Sequence, residues 1–161
     1  MPRLSLVLVT HHEQGHLRRG VRSLLEQVGA VDDVELLVVD DASTDHTAEI
    51  LADLGAADGR LRVHRLPARA GAAAARLAAL ELVTGDHVWF VEPTDRLPPG
   101  AVAAVLDALA DRPRVLVVDH LLLAYDGKQR RVKAPPGGTP WLWDSVVSVD
   151  LLREHLAAVA H

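Results

Sequence analysis

Glu35-Leu-Leu-Val-Val-Asp-Asp-Ala-Ser-Thr-Asp-His-Thr47 is the stretch whose reading decides the fold. Leu36 to Val39 is a continuous apolar run, as in a parallel strand buried on both faces. It ends on two adjacent acids, Asp40 and Asp41, and a polar turn leads to a helical pattern starting near Thr47. Ligands of open parallel sheets bind outside the carboxyl ends of the strands. Paired acids at such an end therefore point to a ligand, while Asp-Ala-Ser-Thr-Asp also has the composition of a turn and helix cap.

The flanking sequence repeats the alternation. Leu4 to Val9 is a second apolar run, with His11 to Gly15 as its loop and Leu17, Val21, Leu24 and Leu25 at helical spacing. Thr44 or Asp45 caps a helix through Ile50, Leu51 and Leu54, closed by Gly55. Leu61 to Leu66 alternates as an edge strand would, and Gly71 to Leu82 is an Ala-rich helix stopping at Thr84-Gly85. His87 to Val91, Ala101 to Leu109 and Val115 to Asp119 read as strand, helix and strand. Past Leu123 the pattern loosens: a hairpin around Tyr125 to Arg131, a loop at Pro135 to Pro140, and a closing helix from Ser148 to Val159. Strands alternating with helices predict a three-layer α/β/α sandwich with a mostly parallel, Rossmann-like central sheet. The predicted division is residues 1–124 as the main domain and 125–161 as a C-terminal extension packed on it.

Bulk composition narrows the function. At 161 residues the chain is one domain, and 49% hydrophobic residues suffice for a core built from Leu, Val and Ala. With no cysteine it has neither disulfides nor thiolate metal sites. The net charge of −5, without a basic stripe, argues against nucleic acid as a partner. Leu4 to Thr10 is too short to span a bilayer and no signal-peptide layout precedes it, so a cytoplasmic domain is expected. Arg18, Arg19 and Arg22 read as a solvated helix face. His11, His12 and His16 read as polar loop residues, since neighbours in an extended segment point apart.

Several ordered segments together resemble the nucleotide-binding half of family 2 glycosyltransferases, which have the GT-A fold. Leu4-Ser-Leu-Val-Leu-Val-Thr-His-His-Glu13 is similar to an opening strand that usually ends Pro-Thr-Tyr-Asn-Glu. Val38-Val-Asp-Asp-Ala-Ser-Thr-Asp-His-Thr47 resembles Val-Asp-Asp-Gly-Ser-Thr-Asp-Gly-Thr, the most specific match. Gly71-Ala-Ala-Ala-Ala-Arg-Leu-Ala-Ala-Leu80 resembles Gly-x-x-x-Ala-Arg-Asn-x-Gly-Leu. Thr84-Gly-Asp-His-Val-Trp-Phe-Val-Glu-Pro-Thr-Asp-Arg-Leu97 resembles a segment carrying the Asp-x-Asp-Asp motif, and Trp143-Asp144 resembles a late Trp-Asn of some bacterial members.

The resemblance implies transfer of a sugar from a nucleotide-diphospho-sugar, UDP-linked, to an acceptor in bacterial envelope polymer synthesis. It assigns the base to Thr10, His11, Glu13 and Asp40, with Asp41 beside them, and offers Arg76 to an acid or to the diphosphate. It gives the ribose and a divalent cation, Mn2+ or Mg2+, to Glu92 and Asp95, with Asp95 the metal ligand. A carboxylate such as Asp40 can accept the imide N–H of uracil. The departures fall on ligand positions: Glu92-Pro-Thr-Asp95 stands for Asp-x-Asp-Asp, and Thr94 is a poor ligand for a hard cation. Inverting members also need a carboxylate base beyond this half, and Glu154 is the only acid after Asp150. Two expectations follow: a donor-binding domain of a longer transferase, or a non-catalytic binding module of the same fold, for example fused to a glycerophosphotransferase. A phosphorelay receiver is disfavoured because the acid pair follows the second strand and no Lys ends the fifth. A dinucleotide-binding domain is disfavoured by the missing Gly-x-Gly-x-x-Gly.

Overall fold

The computed structural model describes residues 3–29, 31–117, 120–123, 129–132, 145–150 and 152. Strands β1 (Leu4–Thr10), β2 (Val34–Asp40), β3 (Leu61–Arg65) and β4 (His87–Val91) alternate with helices α1 (Leu17–Val28), α2 (Thr47–Ala57) and α3 (Ala72–Leu82). Helix α4 (Ala101–Ala108) and a short 3-10 turn lead to β5 (Val115–Val117), β6 (His120–Leu123), β7 (Gln129–Val132) and β8 (Ser145–Ser148). Six strands form one sheet in the order β3-β2-β1-β4-β8-β5, and β6 and β7 form an antiparallel pair. Strands β1 to β4 are mutually parallel, while β8 runs antiparallel to both β4 and β5.

The apolar runs are continuous because both faces of the sheet are covered. Leu4, Leu6, Leu8, Leu36, Val38, Trp89 and Val91 turn to one face, packed by α1, α2 and α4. Val7, Leu37, Val39, Val88 and Phe90 turn to the other, against Ala75, Ala79 and Leu80 of α3 with Val149 and Leu152. The alternation is the period of two that strand geometry imposes. Small alanines let α3 lie close to the sheet. The sandwich is the three-layer α/β/α arrangement expected from the sequence.

Two local expectations change. Gly55 does not close α2, which continues to Ala57 with Asp58 as its cap. The closing helix expected from Ser148 starts one residue later: Ser148 ends β8, which lies inside the main sheet, and Val149, Asp150 and Leu152 are helical. The fifth strand is described only from Val115 to Val117, since residues 118 and 119 lie outside the described residues. The hairpin strands are β6 and β7, and the expected loop at Pro135 to Pro140, with Trp141, Trp143, Asp144 and Glu154, lies outside the described residues.

The strand order reverses at β1: β2 and β3 lie on one side, β4 on the other. Such a switch point opens a crevice between the diverging loops at the carboxyl ends. The loops after β1, β2 and β4 carry the acids and histidines singled out above.

Candidate functional site

Thr10 and Asp40 are register partners at the ends of β1 and β2. Both are buried, 2% and 1% exposed. The Asp40 carboxylate divides its oxygens. Oδ1 accepts the Ser43 amide N–H at 3.1 Å and the Ser43 hydroxyl at 2.5 Å. Oδ2 accepts no hydrogen bond and stands 3.6 Å from Nε of Arg65. The Thr10 hydroxyl beside it is also buried without a hydrogen-bond partner. Buried polar atoms are nearly always satisfied, so two orphaned oxygens on adjacent strand ends call for an explanation.

Asp41 does different work. Its two oxygens accept the backbone N–H groups of Ala70 at 2.6 Å and Gly71 at 2.8 Å, at the entry to α3. Gly71 has φ +87°, a left-handed conformation that a side chain would strain. The acid pair is thus split into a half-satisfied carboxylate and a tie between two loops.

The loop after β1 is bound to the loop after β2. Nδ1 of His11 lies 2.8 Å from the Asp41 carbonyl oxygen, which makes Nδ1 the donor. His12 donates its backbone N–H to the Ser43 hydroxyl at 3.0 Å. Its Nε2 lies 3.0 Å from both the Thr44 backbone nitrogen and the Thr44 hydroxyl. The two imidazoles stack at 3.9 Å. His12 and Ala42 have φ of 57° and 52°, where L side chains are unusual. They occupy the places where the resembling motifs have Asn and Gly, the residues best suited to that backbone. These departures are read first by the backbone. Asp45 accepts the Thr47 N–H at 3.1 Å from one residue before the cap, which is His46 and not the expected Thr44 or Asp45. Glu13 is half-buried, and its carbonyl accepts the His16 and Leu17 N–H groups that start α1.

The third loop holds Glu92 and Asp95. Nη2 of Arg76, on α3, donates to Oε1 of Glu92 at 2.5 Å, and Cζ of Arg76 lies 6.0 Å from the centroid of the Phe90 ring. Oδ2 of Asp95 accepts the Glu92 N–H at 2.8 Å, and the Asp95 N–H returns to the Glu92 carbonyl at 3.0 Å. Gln27 fixes the far end of the loop, donating to the Leu97 carbonyl and accepting the Val102 N–H. Glu92 is therefore neutralised by an arginine, Thr94 is uncharged, and one Asp95 oxygen closes its own turn. Among the described residues no three His, Asp or Glu side chains gather where an ion could sit. This donor set does not fit a resident divalent cation, whose oxygen ligands are normally several.

The structure brings Thr10, His11, Asp40 and Asp41 together at the ends of β1 and β2, with Arg76, Glu92 and Asp95 on the α3 and β4 side. The sequence reading missed Arg65 and Ser43. Arg65 ends β3, pairs in register with Asp40, and donates from Nη2 to the Ser43 carbonyl at 2.6 Å. Its signal was a charged residue ending an edge strand, which acquires meaning only once β3 is known to lie beside β2.

Comparison with known proteins decides the family. The model of glycosyl transferase family 2 matches residues 5–146. The chain belongs to this family. A putative teichuronic acid biosynthesis glycosyltransferase, TuaG of Bacillus subtilis, is 30% identical over 127 residues, 78% of this chain and 50% of its own. The chain spans about half the length of the curated relatives it matches first. Residues 1–349 of S. aureus TarS, solved with UDP-GlcNAc, align with TM-score 0.73 and 21% identity over 96% of this chain and 47% of that one. A Pyrobaculum calidifontis mannosyltransferase, solved with GDP-Man and Mn2+, aligns with TM-score 0.66 and 26% identity over 73% and 35%. The GT-A fold expected from the motifs is the fold of these neighbours. Among the described residues no helix is long and apolar enough to cross a membrane.

Proposed function

We propose that this chain is the donor-binding half of a glycosyltransferase, holding a UDP-sugar across the ends of β1, β2 and β4 for transfer to an acceptor in bacterial envelope polymer synthesis. The observation that carries this reading is the pair of orphaned buried oxygens, Oδ2 of Asp40 and Oγ1 of Thr10, at the switch-point side of the sheet. A uracil imide N–H would satisfy Asp40 Oδ2, and Thr10 can donate or accept beside it. His11 and Glu13 line the loop above the base, and Asp41 holds the α3 entry in place. Arg76 faces the diphosphate and Asp95 the ribose.

The transfer joins an acceptor hydroxyl oxygen to the anomeric carbon and breaks the bond to the diphosphate. The acceptor proton leaves to a base supplied outside the donor half. Family membership and the TuaG relative support the polymer context, and the TarS complex supports the nucleotide. A thermal-shift series tests the reading. UDP and UDP-sugars at about a hundredfold their Kd should stabilise the fold by about 2.7 kcal/mol. CDP, which has no imide N–H, should do less, and no stabilisation by any UDP compound would end the proposal.

A further inference from the structure

We propose that Arg65 is a base-reading residue, its guanidinium donating to a ring carbonyl beside the imide N–H that Asp40 accepts, so that uracil is selected by more than one atom of its polar edge. The inference rests on the donor-binding reading above. Thr10, Asp40 and Arg65 are register partners in one row across β1, β2 and β3. Register partners share a face of the sheet, so a hydroxyl, a carboxylate and a guanidinium stand side by side at its carboxyl edge. Asp40 is buried, and its Oδ2 accepts no hydrogen bond. The Arg65 side chain is 50% exposed, and its Nε stands 3.6 Å from that oxygen, too far for a hydrogen bond. Of the N–H donors of its guanidinium, Nη2 serves the Ser43 carbonyl at 2.6 Å, and among the described residues the others meet no acceptor within hydrogen-bond distance.

Pyrimidines differ in the order of polar atoms along this edge. Uracil offers carbonyl, N–H, carbonyl, and the row offers a hydroxyl that can donate, an acceptor and a donor. Cytosine has a lone pair where uracil has the N–H, which sets it against the Asp40 carboxylate. Its amino group replaces one carbonyl, and a guanidinium has no acceptor to offer it. Such mismatches leave polar groups of the site unpaired and discriminate strongly. The bond to Ser43 holds the guanidinium against the same turn that occupies Asp40 Oδ1, so donor and acceptor are in place before the base arrives.

Calorimetric titration of the chain with UDP, 2-thio-UDP and 4-thio-UDP tests this. Each analogue keeps the N–H for Asp40 and exchanges one carbonyl oxygen for sulfur, a weak acceptor. At least one of them should bind the parent about tenfold more weakly than UDP, the loss of a charge-assisted hydrogen bond. Arg65→Met should bind UDP about tenfold more weakly than the parent and should distinguish UDP from that analogue by no more than about twofold. Arg65→Gln gives the same readout if Arg65→Met fails to fold. A role confined to holding the Ser43 turn would weaken all three nucleotides alike and leave their order unchanged. That result, equal affinity of the parent for UDP and both analogues, or unchanged UDP affinity in the Arg65 variants would overturn the inference while the donor-binding reading stands. Absence of UDP binding by the parent would overturn both proposals together.

Discussion

Glu35 and Asp40 are carboxylates on the same strand, β2, at its opposite ends, and their surroundings could hardly differ more. Glu35 Oε1 accepts the Ser5 hydroxyl at 2.6 Å, the Thr84 N–H at 2.6 Å and the Gly85 N–H at 3.3 Å, and Oε2 is paired with Arg62 at 2.5 Å. Burial alone would raise its pKa, but the hydrogen bonds from Ser5 and Thr84 and the Arg62 contact together hold it below the usual carboxylate range. This knot ties β1, β2, β3 and the turn into β4, and it is why Thr84-Gly85 is needed there. A Cβ on Gly85 would come within 2.7 Å of the Ser5 hydroxyl and 2.9 Å of its backbone nitrogen. Asp40 at the other end leaves one oxygen without a hydrogen bond. The carboxylate at the amino end of β2 is saturated for stability, and the one at its carboxyl end keeps hydrogen-bonding capacity in reserve.

If that contrast is right, damage at the amino end should cost stability and spare ligand binding. Glu35→Ala leaves the buried Ser5 hydroxyl without its acceptor and removes the contacts to the Thr84 N–H and Arg62. It should destabilise by about 2 kcal/mol, lowering the thermal midpoint by several degrees, about 5 °C, in a calorimetric scan, with unchanged UDP affinity. A variant that kept its midpoint and lost UDP would reverse the assignment of the two ends. The pH dependence sharpens the point. Because the folded pKa of Glu35 is depressed, its stabilisation is complete above the unfolded value of 4.5 and is lost as pH falls through the lower folded value. Glu35→Gln should therefore flatten the acid side of the stability profile below about pH 4.5, measured by urea unfolding.

Smaller effects belong to the loops. Ala42 sits at φ 52° between Asp41 and Ser43. Ala42→Gly should relieve the left-handed strain and stabilise by about 1 kcal/mol, read as a higher urea midpoint. A loss of stability would mean that the Ala42 methyl contributes more than its backbone costs. Arg18 pairs with Asp53 at 3.0 Å on an exposed face. Arg18→Ala should shift stability by less than about 0.5 kcal/mol in the same measurement, and a larger change would place that face in the structural network.

The sandwich was legible because its continuous apolar runs, Leu36–Val39 and Val88–Val91 among them, carry burial on both faces in the sequence itself. Strand β8 was not: Ser145-Val-Val-Ser148 runs on into Val149 and Leu152, whose spacing also suits a helix, and its pairing with β4 and β5 is long-range. The site divided in the same way. Asp40 and Asp41 were legible as acids at a strand end, but their separate roles depend on Ser43, Ala70 and Gly71, which only the folded loops bring to them. His12 and Ala42 stand where the resembling motifs have Asn and Gly. They lie at left-handed backbone positions, which residue identity alone does not reveal. Arg65 needed the strand order.

The central claim is that the carboxyl end of β2 holds the nucleotide through Asp40, and calorimetric titration of UDP into Asp40→Asn beside Glu35→Gln tests it most directly. Asp40→Asn places an amide donor where the imide N–H must find an acceptor. UDP affinity should fall about tenfold to a hundredfold in Asp40→Asn, the loss of a hydrogen bond to a charged group, and stay at the parent value in Glu35→Gln. Equal UDP affinity in the parent and Asp40→Asn would contradict the account.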